Sequence, residues 1–149
     1  MPNSYVFYGA SQADCPPVDP YYSALSNPRD LYDALLSLWC ADTCAPRMRK
    51  NWSKDNPTLG QCSITAFLVQ DIFGGEVYGI PLKEGGFHCF NKVGQCVFDL
   101  TSEQFGSLPL DYVHVTPQSR KEHFAKEEKR LRYEKLKASL QSLLRDKMN

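Results

Sequence analysis

Three residues in this chain are of the types that nucleophilic acyl chemistry uses: Cys62 in "NPTLGQCSIT", His88 in "GGFHCFN" and Asp99 in "VFDLT". A thiol becomes a good nucleophile when its thiolate is stabilised, and the first turn of a helix does this with unpaired N–H groups and its dipole. Cys62 stands where such a turn should begin. N–H groups of the same turn can hold the oxyanion formed when a thiolate attacks a carbonyl. The reaction also needs a base that takes the thiol proton and later returns one to the leaving group. The chain offers His88, His114 and His123. His123 falls in a charged helical stretch and reads as surface, and His114 in "YVHVT" can face either way. His88 stands in an apolar strand entered through two glycines, which allow close approach. Asp99, an acid embedded in an apolar strand, is the candidate to orient the imidazole. Against this stands a plainer reading: buried cysteine is common, and a lone His or Asp at a strand end is ordinarily held by hydrogen bonds without doing chemistry.

The elements that must position these residues follow from periodicity and punctuation. Residues 1–27 hold clustered prolines and aromatics and read as an irregular arm laid over the core. Asn27 as cap, Pro28 at the first helical position and Asp30 in the first turn predict a helix over residues 28–39, with Leu31, Ala34, Leu35, Leu38 and Trp39 on one face. Residues 40–60 form an irregular connection ending at Pro57 and Gly60. From residue 61 to 73, "QCSITAFLVQDIF" is apolar on most sides, as a helix buried in the middle of a domain is. Gly74 is placed for a left-handed cap. Strands follow in "EVYGI", "FHCFN" and "QCVFDL", and "DYVHVTP" adds a short edge strand closed by Pro117. Residues 118–149 read as one amphipathic helix, with Tyr133, Leu136, Leu140, Leu143 and Leu144 at helical spacing.

Strand register decides whether the three residues can work together. A turn at Val93-Gly94, or over residues 92–95, places His88 directly opposite Asp99 on one face. A turn at residues 92–94 pairs His88 with Phe98 and sends Asp99 to the other face. The catalytic reading requires the former.

Weaker candidates surround the three. Gln61 can donate to the oxyanion through its side chain or pack at the helix start. Asn91 can contact substrate or bond its own turn. Trp52 can wall a cleft or anchor its loop. Cys40 and Cys44, four apart at a helix end, can share a side, but no second paired motif completes a zinc site, so no metal or other cofactor is expected. Roles for Cys15, Cys89 and Cys96 stay open.

Composition limits the function classes. A chain of 149 residues with 42% hydrophobic residues is sized for one domain, residues 1–149. Net charge is zero, although from Arg120 onward ten Lys or Arg stand against five Asp or Glu. The acids interleaved in "EHFAKEEK" argue against nucleic-acid binding. No apolar run is long enough to span a membrane and the start lacks a secretory pattern, so cytoplasmic location and free thiols are expected.

The motifs also carry a resemblance. "NPTLGQCSITAFLVQDIFGG", "GGFHCFN" and "FDLTSEQF" resemble the YunG-like family of small bacterial proteins over residues 52–105, and "RYEKL" extends the similarity loosely into the terminal helix. Cys89 and Phe90 depart from the aromatic and the Trp that the family pattern has there. The family in turn resembles papain-like and transglutaminase-like cysteine enzymes, which present Cys on a helix and then His and Asp on successive strands. The resemblance implies Cys62 as nucleophile, His88 as general base and acid, and Asp99 as orienting carboxylate.

The expected fold is therefore α+β, a central helix carrying Cys62 packed on an antiparallel sheet, with an N-terminal helix and a long C-terminal helix. The expected function is a cysteine-dependent hydrolase or acyltransferase acting on an amide, ester or thioester of a small molecule or peptide. The alternative is a non-catalytic binding or interaction domain that keeps a papain-like shell. The terminal helix is expected to cover the sheet or to contact a second copy of the chain.

Overall fold

The computed structural model describes residues 4–148 and is α+β, with a four-stranded antiparallel sheet and a long C-terminal helix. Residues 1–3 of the expected arm and residue 149 of the expected terminal helix lie outside the described residues. Helix α1 spans Pro28–Leu36, shorter than the sequence suggests, because Ser37 and Leu38 turn the chain so that Trp39 can drop into the core. Its start is as expected: the Asn27 side chain accepts from the Asp30 N–H, and Pro28 occupies the first position. The connection 40–60 contains two short 3-10 stretches, Ala41–Thr43 and Pro46–Asn51.

Helix α2, Cys62–Phe73, is the centre of the molecule, and most of its residues are buried. No side chain caps its N-terminus. Gly74 ends it with φ 82 and ψ −157, positive in φ but outside the left-handed helical region that the sequence suggested. The strands are β1 Glu76–Pro81, β2 Phe87–Val93, β3 Cys96–Phe98 and β4 Thr116–Pro117, in the order β3-β2-β1-β4. The expected edge strand over residues 111–117 shrinks to its last two residues, because Asp111 caps the backbone N–H groups of Val113 and His114 and makes a turn instead.

The terminal segment is two helices, α3 Arg120–Phe124 and α4 Glu127–Met148. Arg120 fixes α3 on α2 by donating to the Phe67 carbonyl, Gln70 and Asp71. Tyr133, Leu136, Leu140 and Leu144 of α4 are buried in the same core cluster as α1 and α2. The apolar stripe of α4 thus covers helices of its own chain rather than the sheet. Among the described residues no helix is long and apolar enough to cross a membrane.

The β2–β3 hairpin turns at Gly94-Gln95, since Val93 pairs with Cys96 and Asn91 with Phe98. Gly94 has φ +60, which a first central position of a type II′ turn requires. This is neither of the expected registers. Extending it brings Asp99 level with Phe90, two residues from His88. A slip of two preserves the face, so His88 and Asp99 still project from the same side.

The packing of α4 predicts that Leu136→Ala, at a fully buried position, destabilises the fold by about 2–5 kcal/mol in chemical denaturation. Leu131→Ala, at a half-exposed position on the same helix, should stay within about 0.5 kcal/mol of the parent.

Candidate active site

The Asn91 side-chain amide donates to the Ala66 carbonyl of α2, which fixes the face of β2 carrying Cys89 and Asn91 against that helix. Alternation then puts His88 and Phe90 on the opposite face. There they meet Phe105 and Tyr112, both in edge-to-face contact, at 4.7 Å for His88–Phe105 and 5.0 Å for Phe90–Tyr112. Simple packing of α2 on the sheet would therefore leave Cys62 and His88 on different sides.

They meet at the sheet's outer edge. The Leu82 N–H bonds the Gly86 carbonyl across the β1–β2 turn, so in the ladder the even residues of β2 bond β1 and the odd residues point outward. Strand β3 occupies that outer edge only as far as Phe98, opposite Asn91. Beyond it, the Phe87 carbonyl and the Cys89 N–H are left without a strand partner. The Cys62 sulfur fills this place: Sγ lies 4.0 Å from the Phe87 oxygen and receives the Cys89 N–H. A thiol at the edge can be reached from both faces, by the Cys89 thiol from one and by the His88 ring from the other.

His88 Nε2 lies 2.6 Å from Asp99 Oδ2, and both side chains are 1% exposed. The second ring nitrogen, Nδ1, is buried and makes no hydrogen bond, and it is the one on the side of the thiol, with which the ring interacts electrostatically. Asp99 is held in turn. Its Oδ1 accepts from the Thr101 N–H at 3.1 Å and its Oδ2 from the Tyr112 hydroxyl at 2.8 Å.

The charges follow from these contacts. The Cys62 thiol is held well below its ordinary value, first by the Cys89 thiol donating to it, then, against burial, by the His88 imidazolium and the Cys89 N–H. Of the two thiols Cys62 carries the charge, because it is the one beside the imidazolium. Cys89, donating and buried, is pushed well above the ordinary range. Burial disfavours protonated His88, but Asp99 and the Cys62 thiolate outweigh it and raise the imidazole to about 10. These shifts favour a thiolate–imidazolium pair at neutral pH, with Asp99 at the far ring nitrogen.

The other expected site residues are held elsewhere. The Gln61 side chain is fully buried and donates to the Cys40 carbonyl at 3.1 Å, anchoring the residue before the thiol to the 40–60 connection. Asn91 ties β2 to α2 as described, and Trp52 donates its indole N–H to the Pro57 carbonyl at 2.9 Å, closing its own loop. His114 is exposed and paired with Asp111. His123 differs from the surface residue expected: it is half-buried, 5.1 Å from the Phe67 ring, with Nδ1 bonded to Lys129 and Nε2 to Gln118. Burial and the adjacent Lys129 push it down to about 4, so it is neutral. Among the described residues no cluster of three or more His, Cys, Asp or Glu is arranged to hold a metal ion.

Two contributors have no signal in spacing. Cys89 reads as one more apolar strand residue, and Tyr112 lies in a stretch whose alternation suggested a strand. A cavity of ≈ 580 Å³ opens beside Tyr112, lined also by Val6, Tyr8, Ser102, Glu103 and Leu108.

An α+β domain with a cysteine at the start of its central helix and a buried His–Asp pair on the sheet defines the class of this molecule. Comparison with known proteins gives the family: a family model described as YunG protein matches residues 27–145, and the chain belongs to that family. The "Uncharacterized protein YunG" of Bacillus subtilis (strain 168) is 41% identical over 73 residues, 49% of this chain and 61% of that relative, so the match spans less than two thirds of its length. No solved structure matches.

The pairing predicts that His88 stays protonated up to about pH 10 in NMR titration of its imidazole. In Asp99→Asn the carboxylate's support is lost while burial remains, so the midpoint should fall toward the ordinary 6.5.

Proposed function

We propose that the chain is a cysteine-dependent hydrolase or acyltransferase in which Cys62, His88 and Asp99 act as a catalytic triad on an amide, ester or thioester. One arrangement carries this reading: Cys62 sits at the unpaired edge of β2 within reach of the His88 ring, whose far nitrogen is bonded to the buried Asp99. A structural histidine needs no thiolate at its second nitrogen. The order of elements, Cys at a helix start, His on β2 and Asp just past the end of β3, supports a papain-like or transglutaminase-like core.

In this reading the Cys62 sulfur attacks the carbonyl carbon, forming a C–S bond and moving the carbonyl electron pair onto oxygen. The first turn of α2 has no side-chain cap, so its N–H groups are the donors at hand to stabilise that charge. The tetrahedral adduct collapses to a thioester as His88 gives its Nδ1 proton to the departing amine, alcohol or thiol. Neutral His88 then takes a proton from water, or from an acceptor amine, that attacks the thioester and restores the thiolate–imidazolium pair. Asp99 keeps Nε2 as the donor throughout and so fixes which nitrogen faces the sulfur. Hydrolysis, deamidation and transfer share the first step. The substrate is a small molecule or peptide able to present a carbonyl at the exposed side of Cys62.

Alkylation with iodoacetamide, followed residue by residue by mass spectrometry, tests the reading. Cys62 should react at pH 6–7, where ordinary thiols are slow, and ahead of Cys15, whose thiol is pushed up to about 11 by burial and by Cys96. In His88→Ala the acid limb of the Cys62 profile should move up by about 1–3 units. Reaction of Cys62 no faster than Cys15 at neutral pH would overturn the proposal and leave a binding or interaction domain with a structural His–Asp pair.

A further inference from the structure

Tyr112 and the N-terminal arm make contacts with Asp99 that the triad by itself does not explain. The carboxylate receives His88 and the Tyr112 hydroxyl on the same oxygen, Oδ2, and Thr101 on the other. The partly buried Tyr112 phenol donates to this carboxylate, and burial and the Asp99 charge together drive its hydroxyl far above its ordinary value. The hydroxyl is thus the donor in its bond to Asp99 Oδ2.

The Tyr112 ring is clamped on two sides. It packs edge-on against Phe90 of β2 at 5.0 Å, and it stacks on Tyr8 of the arm with ring centroids 3.7 Å apart and planes 17° apart. Tyr8 is fixed independently of its ring. Its carbonyl accepts the Asp99 N–H at 2.9 Å, and its own N–H bonds the Ser102 hydroxyl at 2.9 Å. The next residue, Gly9, approaches β3 so closely that a Cβ there would fall 2.0 Å from the Val97 carbonyl oxygen. The arm thus grips the Asp99 backbone directly and the Asp99 side chain through Tyr112.

We propose that Tyr112 is a positioning residue for the Cys62–His88–Asp99 group and that the arm, through Tyr8, holds it in place. Its bond orients the Asp99 carboxylate toward His88 Nε2 and draws off part of that oxygen's basicity, which limits how tightly the carboxylate holds the imidazolium proton. The general acid step needs that limit, because a proton bound too firmly is not released to a leaving group. Only this consequence for turnover rests on the triad reading; the effect on His88 does not. The titratable and charged groups around the ring are Asp99, Cys62 from α2 and, through Asp99, Tyr112 from the segment before β4; Cys89 acts on Cys62 from the opposite face of β2. Lys129 of α4 and His123 of α3 act on the thiols from the helix side.

NMR titration of the His88 imidazole in the full chain, with Tyr112→Phe and Tyr8→Ala, provides the test. Tyr112→Phe keeps both ring contacts and removes only the donor. The His88 midpoint should then rise from about 10 by roughly half a unit or more, since Oδ2 is left with His88 alone. Tyr8→Ala keeps the arm's backbone bonds and releases one face of the Tyr112 ring, so the midpoint should move the same way by less. A midpoint unchanged in Tyr112→Phe, with melting temperature and circular dichroism like those of the parent, would overturn the inference. The titration reads the Tyr112 bond even if Cys62 alkylates as an ordinary thiol, an outcome that would sink the proposed function alone.

Discussion

Two ionisable side chains, His88 and Asp99, are buried together on the sheet face turned away from α2, and much of the surrounding structure exists to satisfy them. A carboxylate removed from water is tolerable only if its charge is matched and its oxygens are bonded. Asp99 meets both conditions with an imidazolium on one side and with Thr101 and Tyr112 supplying the remaining donors. Replacing one partner would leave a buried charge uncompensated. This is why the segment from Thr101 to Tyr112 folds back over the sheet and the arm lies across its end.

The same constraint explains the position of the thiol. Strand β3 pairs with β2 only as far as Phe98, and the chain beyond it bridges the arm instead, Asp99 with Tyr8. Its departure opens a short stretch of β2 edge, and an open edge is a row of unpaired polar groups. The first turn of α2 delivers Cys62 to that gap. Gln61, bonded to the Cys40 carbonyl, and Trp39, bonded to Thr65, fix where the helix begins. A buried ion pair, a truncated strand and a helix start are in this way parts of one arrangement. Thiolate and imidazolium meet around the sheet edge rather than across the sheet.

Much of the fold was legible from local signals. The Asn27–Pro28 start of α1, the all-round apolar α2, the strands β1 and β2 and the helical tail follow from capping, period and turn residues. The misses share a cause. Residues 111–117 alternate like a strand, but Asp111 captures the N–H groups a strand would need. The tail reads as one helix, but it breaks after Phe124, with Arg120 tying α3 to α2 and α4 starting anew at Glu127. In both places a side chain took over backbone or orientation that periodicity alone assigns.

The sequence by itself determined which residues could carry the chemistry, because residue type and the local signals of helix and strand are read along the chain, but it left open the register on which a shared face for His88 and Asp99 depends. It also marked Cys62 as the start of a buried helix. Tertiary structure decided the rest: the Gly94-Gln95 turn, the meeting of thiol and imidazole at an unpaired edge, and the recruitment of Cys89 and Tyr112. Those contacts join residues from 11 to 27 positions apart, such as His88 with Asp99 and Cys62 with Cys89. Which of many apolar or aromatic residues arrives at a charge is set by how layers pack, and spacing along the chain carries no record of it.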